Sequence, residues 1–362
     1  LQGLRERRTV REVVGMVYVG VSARVLVNVE ALNMSESVGN VVRHKKAPVV
    51  TPVVRDGSVV TYSLRYVPVI SGESIAHGYQ SLIASLASLR GLPVCPLCKM
   101  ETFVKHSSKE VVAELEKLGD PHAKKILELI GKKIDTLEKV HEIEKEIIKS
   151  CVVEDVGGFL LTDVPVKRTS RFYSGYMIPS LAYLDAAATE TQFHVRHDVR
   201  PERGRQAIYY VETGSALYTL NIGLDVDGVG CTSAVRKEPL KDREERIKVA
   251  VEALAHLVAS MGFGAKKTRF LPHWEIESMV VTISHPLPFN PRPAHHDDYI
   301  VETVRAVAAY NDLLKTVGGF AKAYYYTAPR SKAAIPEGEE ARVRDPISAV
   351  MKALDYTERS KC

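Results

Sequence analysis

Leu64-Arg65-Tyr66-Val67-Pro68-Val69-Ile70-Ser71-Gly72-Glu73-Ser74-Ile75-Ala76-His77-Gly78-Tyr79-Gln80 decides how the rest of this chain is read. A short apolar strand stops at Ser71-Gly72 and turns directly into a helix. Ser71 carries an N-cap side chain, and Ser74 falls in the first turn. The unpaired N–H groups and positive dipole end of such a helix attract an anion. Just upstream lies a basic cluster, Arg43-His44-Lys45-Lys46. Strand end, helix start and basic cluster together predict a phosphate-binding corner. The competing reading is a capped core helix that binds nothing.

Working outward, residues 21–30 alternate around Val25, Val27 and Val29, which predicts a half-buried strand. A polar loop follows from Asn33 to Lys46, including Gly39 and Asn40. Val49–Val54 and Val59–Leu64 flank Arg55-Asp56-Gly57-Ser58, a two-residue hairpin signal. The helix after Ser71 runs to about Leu89. Residues 92–150 change composition, with Pro93, Pro96 and Pro121, then a run rich in Glu, Lys, Leu and Ile. Ile126, Leu127, Ile130, Ile134 and Leu137 recur near helical spacing, so this stretch reads as an inserted helical subdomain. Its charges balance, which argues against a nucleic-acid surface there.

Residues 152–204 favour strands and excursions over helix. Residues 206–213 and 215–226 read as a second hairpin around Gly214. Residues 241–260 are an amphipathic helix, and 277–284 supply a last strand. A proline-rich connector then leads to a helix near 298–316. With the insertions removed, the order is strand, helix, strand, strand, helix, strand. That is an α+β arrangement of the ferredoxin-like kind used by RNA-recognition modules, a fold that hosts many functions.

The chain has 362 residues, room for one elaborated domain or two. Its net charge of +5 permits a polyanionic partner without requiring one. No apolar run spans a membrane, and no secretion signal is read at the N-terminus. Five cysteines, an odd number in a long chain, fit an intracellular protein, so a soluble cytoplasmic location is expected.

Basic residues with aromatic neighbours fall at four separated places: Arg43–Lys46, Lys167–Tyr173, His194–Arg205 and Gly262–Arg269. Phosphates take point charges or forked guanidinium donors, and glycines let backbone N–H groups approach. Each patch alone is an ordinary solvated surface; four beside one core point to nucleic acid. Gly262-Phe263-Gly264 is no dinucleotide fingerprint, because it follows a helix and precedes a strand. Cys95-Pro96-Leu97-Cys98 is half a zinc site by spacing, with His106, His122 or Cys151 able to complete it only through folding. Zinc, a disulfide and free thiols stay open, and no resident metal or cofactor is expected. His295-His296-Asp297-Asp298 resembles a metal cluster but also suits a helix start.

Six segments, taken in order, resemble one family. They are Val27-Asn28-Val29-Glu30-Ala31-Leu32-Asn33, Arg65–Glu73, Arg168-Thr169-Ser170-Arg171, Gln192-Phe193-His194-Val195-Arg196, Lys267-Thr268-Arg269-Phe270-Leu271-Pro272 and Pro293–Ile300. The family is the archaeal type I-A CRISPR backbone subunit, the repeated large protein of the Cascade surveillance complex, within the RAMP superfamily. The resemblance covers about residues 21–326. It implies a hand-shaped modified RNA-recognition core, with copies stacked in a helical filament along a guide RNA. A thumb kinks the guide and leaves bases free to pair with target DNA. Other Cascade subunits and a recruited nuclease-helicase are the further partners implied.

Carried over by motif, the candidate guide contacts are Asn40, Arg43, His44, Lys45, Lys46, Ser71, Gly72, Ser74, His77, Lys167, Arg168, Thr169, Ser170, Arg171, Gln192, His194, Arg196, Lys266, Lys267 and Arg269. Phe159, Leu160 and Phe172 are candidate thumb wedges. The implied division is an N-terminal extension (1–20), a palm (21–91 and 205–330), a helical insertion (92–151), a thumb (152–204) and a tail (331–362). The 92–150 insertion with its CxxC departs from the family pattern. The scaffold so implied is not a nuclease. The first alternative is an RNA-cleaving relative. In type III relatives an aspartate in the loop after the first strand cuts RNA, yet Asn33–Lys46 holds Glu36 and no aspartate. His44, His77 and His194 would be its acid–base candidates. The second alternative, a DNA-binding regulator, lacks any helix-turn-helix pattern.

Overall fold

The computed structural model describes residues 16–132, 134, 136–196, 207–338, 341–360 and 362. Its first half runs β1 (Tyr18–Glu30), β2 (Met34–Val38), β3 (Val41–His44), β4 (Lys46–Arg55), β5 (Ser58–Pro68) and α1 (Gly72–Leu89). Short helices follow: α2 (Pro96–Lys99), α3 (Lys109–Lys117), α4 (Ala123–Ile130), α5 (Leu137–Ser150) and α6 (Val152–Gly157). Then come β6 (Phe159–Leu161), β7 (Val166–Arg168), β8 (Phe172–Ser174), β9 (Ile178–Pro179), β10 (Ala188–Arg196) and β11 (Ala207–Asp225). The chain closes with α7 (Arg243–Ser260), β12 (His273–His285), α8 (Tyr299–Leu314), β13 (Phe320–Thr327) and α9 (Pro346–Met351).

The stretch around Ser71 forms the expected strand-to-helix turn. Ser71 Oγ accepts the Ser74 N–H and caps α1. The Asp56-Gly57 hairpin joins β4 and β5, and α7 and α8 fall where their sequence patterns place them.

One sheet organises the molecule, with the path β13-β12-β1-β11 and antiparallel pairing throughout. Val17, just before β1, and Val19, Val21, Ala23, Val25 and Val27 on it enter the main core, as a period of two requires. Val29 leaves the alternation. The register shifts between Val27 and Glu30, and Val29 is half exposed with φ +56°. α1 and α7 cover one face of the sheet, where Tyr79 donates to the Ala250 carbonyl. Val280 on β12 and Tyr325 on β13 face the opposite way, into a smaller cluster with Tyr299 and Ile300 of α8. Beneath the connector before α8, buried Arg24 reaches Asp297 at 2.7 Å and the Ala294 carbonyl at 3.2 Å.

The expected hairpin around Gly214 is a single nineteen-residue strand, β11. Gly214 is there for space, not for a turn. A Cβ would stand 2.6 Å from Glu30 Oε1 and 3.1 Å from His44 Nε2. The antiparallel partners of β11 come from the preceding segment instead: β10 along 207–215, β9 along 218–219 and β8 along 222–224. β1 ends opposite Gly214, and past that point β3 lies parallel beside Tyr210 and Val211.

The helices of residues 96–157 share the main core. Cys95, Cys98, Val112, Leu115, Ile126, Ile143, Ile147 and Cys151 belong to the same cluster as α1 and the sheet. Leu137 is exposed, contrary to its helical spacing, because it is the first residue of α5. Cys231 and Cys362 form a disulfide that ties the last residue to the loop after β11. Among the described residues no helix is long and apolar enough to cross a membrane.

Candidate nucleic-acid interface

Three of the four basic segments meet along the outer half of β11, residues 207–212. From one side comes β3. Asn40 Nδ2 donates to the Ile208 carbonyl at 3.2 Å, and the Tyr210 N–H returns to the Asn40 carbonyl at 2.8 Å. Arg43 stands exposed, 3.7 Å from Glu36. Lys46 lies 3.8 Å from Glu212, and Lys45 sits over the Tyr176 ring at 5.3 Å. From the other side comes β10, where Gln192 pairs with Val211 and His194 with Tyr209.

The loop after α7 closes the group. The Ala265 N–H donates to the Leu32 carbonyl at 2.8 Å, which holds the loop against the end of β1. Arg269 hydrogen-bonds Tyr209 Oη, with its guanidinium 5.7 Å from that ring. His194 stacks on Tyr209 at 5.1 Å and meets Phe270 edge-on at 5.5 Å. Lys267 turns back to the Met261 carbonyl at 2.7 Å, and partial burial lowers its pKa. Burial, and then the charge of Arg269, does the same to Lys266. The result is a cationic rim with aromatic faces, able to take phosphates on its charges and bases on its rings. The sequence does not single out Tyr176, Tyr209 and Phe270 as binding residues. The β10–β11 register sets His194 against Tyr209, and the loop after α7 brings Arg269 and Phe270 to that pair.

Several expected contacts are internal. His44 is buried, with Nε2 2.5 Å from Glu30 Oε1 and Nδ1 2.8 Å from the Lys45 carbonyl. Tyr218 donates to the same Glu30 oxygen at 2.9 Å. Burial opposes charge on this imidazole, but the Glu30 carboxylate outweighs it and raises the His44 pKa. His44 is therefore a structural lock at the end of β1, and no phosphate reaches it.

Ser71 and Gly72 are buried too. The Ser71 N–H donates to Asn33 Oδ1 at 2.7 Å, and a Cβ on Gly72 would lie 2.4 Å from the Ser174 carbonyl oxygen. The backbone of residues 174–175 thus closes over the helix start, which serves as a capped core element and not as an open anion site. Ser74 is half exposed, Glu73 is exposed, and His77 sits edge-on to Phe103 at the surface.

The fourth segment lies elsewhere and is mostly buried. β8 pairs with the far end of β11, roughly 40–46 Å from Tyr210 at about 3.3 Å per residue. Arg168 has no exposure to speak of. Its Nε donates to the Asp155 carbonyl at 2.7 Å and its Nη2 to Asp155 Oδ1 at 2.5 Å. Nη1 reaches Glu144 at 3.0 Å and the Cys231 carbonyl at 2.9 Å, and Nη2 also reaches the Gly228 carbonyl at 2.7 Å. All five guanidinium donors are filled within the protein. Arg171 pairs with Asp225 at 3.1 Å, and Ser170 Oγ donates to the Phe172 carbonyl at 2.7 Å. Lys167 and Thr169 remain exposed.

Of the proposed wedges, Phe159 and Phe172 are core residues, and Phe172 stacks on Tyr79 at 4.0 Å. Leu160, at the surface of the β6–β7 hairpin, is 59% exposed. Arg196 ends β10, and its side chain, like the basic loop to Arg205, lies outside the described residues. His295–Asp298 hold no metal-like arrangement, since Asp297 is taken by Arg24 and Tyr183.

A family model described as "CRISPR-associated negative auto-regulator DevR/Csa2" matches residues 21–304. A Saccharolobus solfataricus protein described as "CRISPR-associated aCascade subunit Cas7/Csa2 2" is 40% identical over 312 residues, covering 84% of this chain and 90% of the relative. A second from that organism, "CRISPR-associated protein Cas7/Csa2 1", is 36% identical over 343 residues, covering 93% and 98%. A solved chain described as "CRISPR RNA-guided surveillance complex, pre-nicking" aligns over 93% of this chain and 99% of its own. The TM-score is 0.49 and the identity 12%. On the family match and the two close relatives, this chain belongs to the DevR/Csa2 family of CRISPR-associated proteins.

Proposed function

We propose that this protein is a non-catalytic scaffold for guide RNA. It grips the sugar-phosphate backbone along the outer half of β11, stacks against further copies of itself, and leaves guide bases free to pair with target DNA. The carrying observation is that Arg269 meets the rings of Tyr209, His194 and Phe270 at the outer half of β11, while Arg43 and Lys46 flank the same stretch of strand from the side of β3. Cations on a pleated edge with neighbouring aromatics suit a single strand held without regard to sequence.

The strand order supports a modified ferredoxin-like core. β12-β1-β11 with β8–β10 along the far edge, and α1 and α7 as crossovers, is the spatial order of a βαββαβ unit whose second strand is broken into three. The β4–β5 hairpin supports self-association. Val49 and Val67 anchor its base, while Val50, Tyr62, Leu64 and Tyr66 stand more than half exposed along it. A protein–protein contact gives that apolar surface somewhere to go. The name of a close relative, an aCascade subunit, supports assembly with other Cascade subunits; a recruited nuclease-helicase is the further partner of this reading. The non-catalytic reading rests on His44, held inside by Glu30, and on Glu36, paired with Arg43.

The test mixes the purified chain with labelled single-stranded RNAs of unrelated sequence, then follows affinity against salt and images the product. Equal affinity for all sequences, a steep salt slope and filaments of protected RNA are expected. Sequence-dependent binding, or clean cleavage of the RNA by the protein alone, would overturn the reading.

A further inference from the structure

The helices of residues 96–157 hold a cluster that the RNA surface does not use. Cys95, Cys98, Cys151 and Glu154 are all buried, and one ligand atom from each lies within 4.8 Å of the others. Cys95 is the residue before α2, and Cys98 follows one turn later. Cys151 sits at the junction of α5 and α6, and Glu154 is in α6. The Val152 N–H donates to the Pro93 carbonyl at 2.9 Å, so the two chain segments are fastened beside the cluster.

A carboxylate in an apolar core needs partners, and besides His106 Glu154 faces three thiols. Cys95 Sγ lies 3.5 Å from Glu154 Oε1. In a tetrahedral zinc site, bonds of about 2.3 Å to sulfur and about 2.0 Å to oxygen leave a sulfur–oxygen edge of about 3.5 Å. The carboxylate is also oriented. His106 Nδ1 is 2.7 Å from Glu154 Oε1, and the His106 N–H donates to Oε2 at 3.0 Å. A histidine buttressing a ligating carboxylate is the outer shell that metal sites use. The other ring nitrogen of His106, Nε2, is buried with no hydrogen-bond partner among the described residues, so the ring is fixed through its Glu154 side alone. Lys105, bonded to the Gly157 carbonyl at 2.9 Å, is a second cationic side chain beside the group. The loop leading to His106 takes left-handed conformations at Glu101, Phe103 and Lys105, so the backbone is bent to bring these residues in.

We propose that Cys95, Cys98, Cys151 and Glu154 bind one zinc ion, with His106 positioning the carboxylate. Soft thiolates in a closed tetrahedral set select zinc over the hard divalent cations. The ion is structural. It joins the start of the helical insertion to its end, within the core shared with α1.

The test measures metal in the full-length protein, purified without added chelator from zinc-supplemented cells and dialysed to remove loose ions. About one zinc per chain is expected, released by a mercurial that titrates thiolates. Cobalt in place of zinc should give the strong visible bands of a tetrahedral thiolate site. Cys98→Ser should abolish retention, His106→Gln should weaken it by about 10- to 100-fold, and Cys231→Ser should leave it unchanged. Should Cys98→Ser fail to fold, the parent protein still decides. Little zinc in it, with three reactive thiols or a disulfide between two of them on unfolding, overturns the proposal.

Discussion

Arg168 and Arg269 are the same residue type, both in basic segments, and the fold gives them opposite surroundings. Around Arg168, Asp155 and Glu144 supply carboxylates, and Arg246 adds a second guanidinium 3.1 Å from Asp155. Glu144 in turn accepts the N–H groups of Ser233 and Ala234. Every charge in that centre has a partner, and the centre sews the helical insertion to the loop after β11. At the outer half of β11 the cations lie on the surface, braced by rings and by single carboxylates such as Glu36 and Glu212. A basic segment is a ligand surface only where the fold leaves its charge uncompensated.

The largest expected effect separates two adjacent residues. Arg168→Ala leaves two buried carboxylates short of their partner and should cost about 3–5 kcal/mol in urea unfolding. Lys167→Ala should stay within about 0.5 kcal/mol. Equal and small effects would erase the distinction between the two regions. The same measurement applies to the wedge candidates. Phe172→Ala removes the ring stacked on Tyr79 and should cost about 3–5 kcal/mol, whereas Leu160→Ala should cost about 0.5 kcal/mol or less.

On the surface the readout reverses. Phe270→Ala should cost about 1–3 kcal/mol of RNA affinity if a base stacks there. Arg43→Ala and Arg269→Ala should leave unfolding unchanged and flatten the salt slope by about 0.7 for each phosphate no longer neutralised. Unaltered slopes would move the RNA off this edge. The smallest effect concerns His44. Glu30 raises its pKa in the folded protein, so its stabilisation is fully present below the unfolded value and is lost as pH rises through the higher folded value. His44→Gln should remove that decline in stability above about pH 6.5. A titration curve that keeps its shape would show that the Glu30 contact carries no charge.

Much of this was legible because it is local. The alternation along β1, the Ser71 cap, the Asp56-Gly57 turn and the apolar face of α7 each follow from residues a few positions apart. Gly214 misled because a glycine between two β-rich runs reads as a turn. Its reason, room for Glu30 and His44, lies 184 and 170 residues away in the chain. The Cys95–Cys98 pair is visible in the sequence, but only folding brings Cys151 and Glu154 to it and sets them apart from other possible companions.

Periodicity, caps and motif series are written along the chain, so the major helices, β1, the β4–β5 turn and the family follow from local reading, while the single strand β11 does not. Tertiary structure alone decided which cations face water. Arg168 meets Asp155 across 13 residues and Glu144 across 24, while Arg246 meets Asp155 across 91. Desolvation makes an unpaired charge costly and a paired one silent, and pairing is set by where the sheet and helices carry each carboxylate.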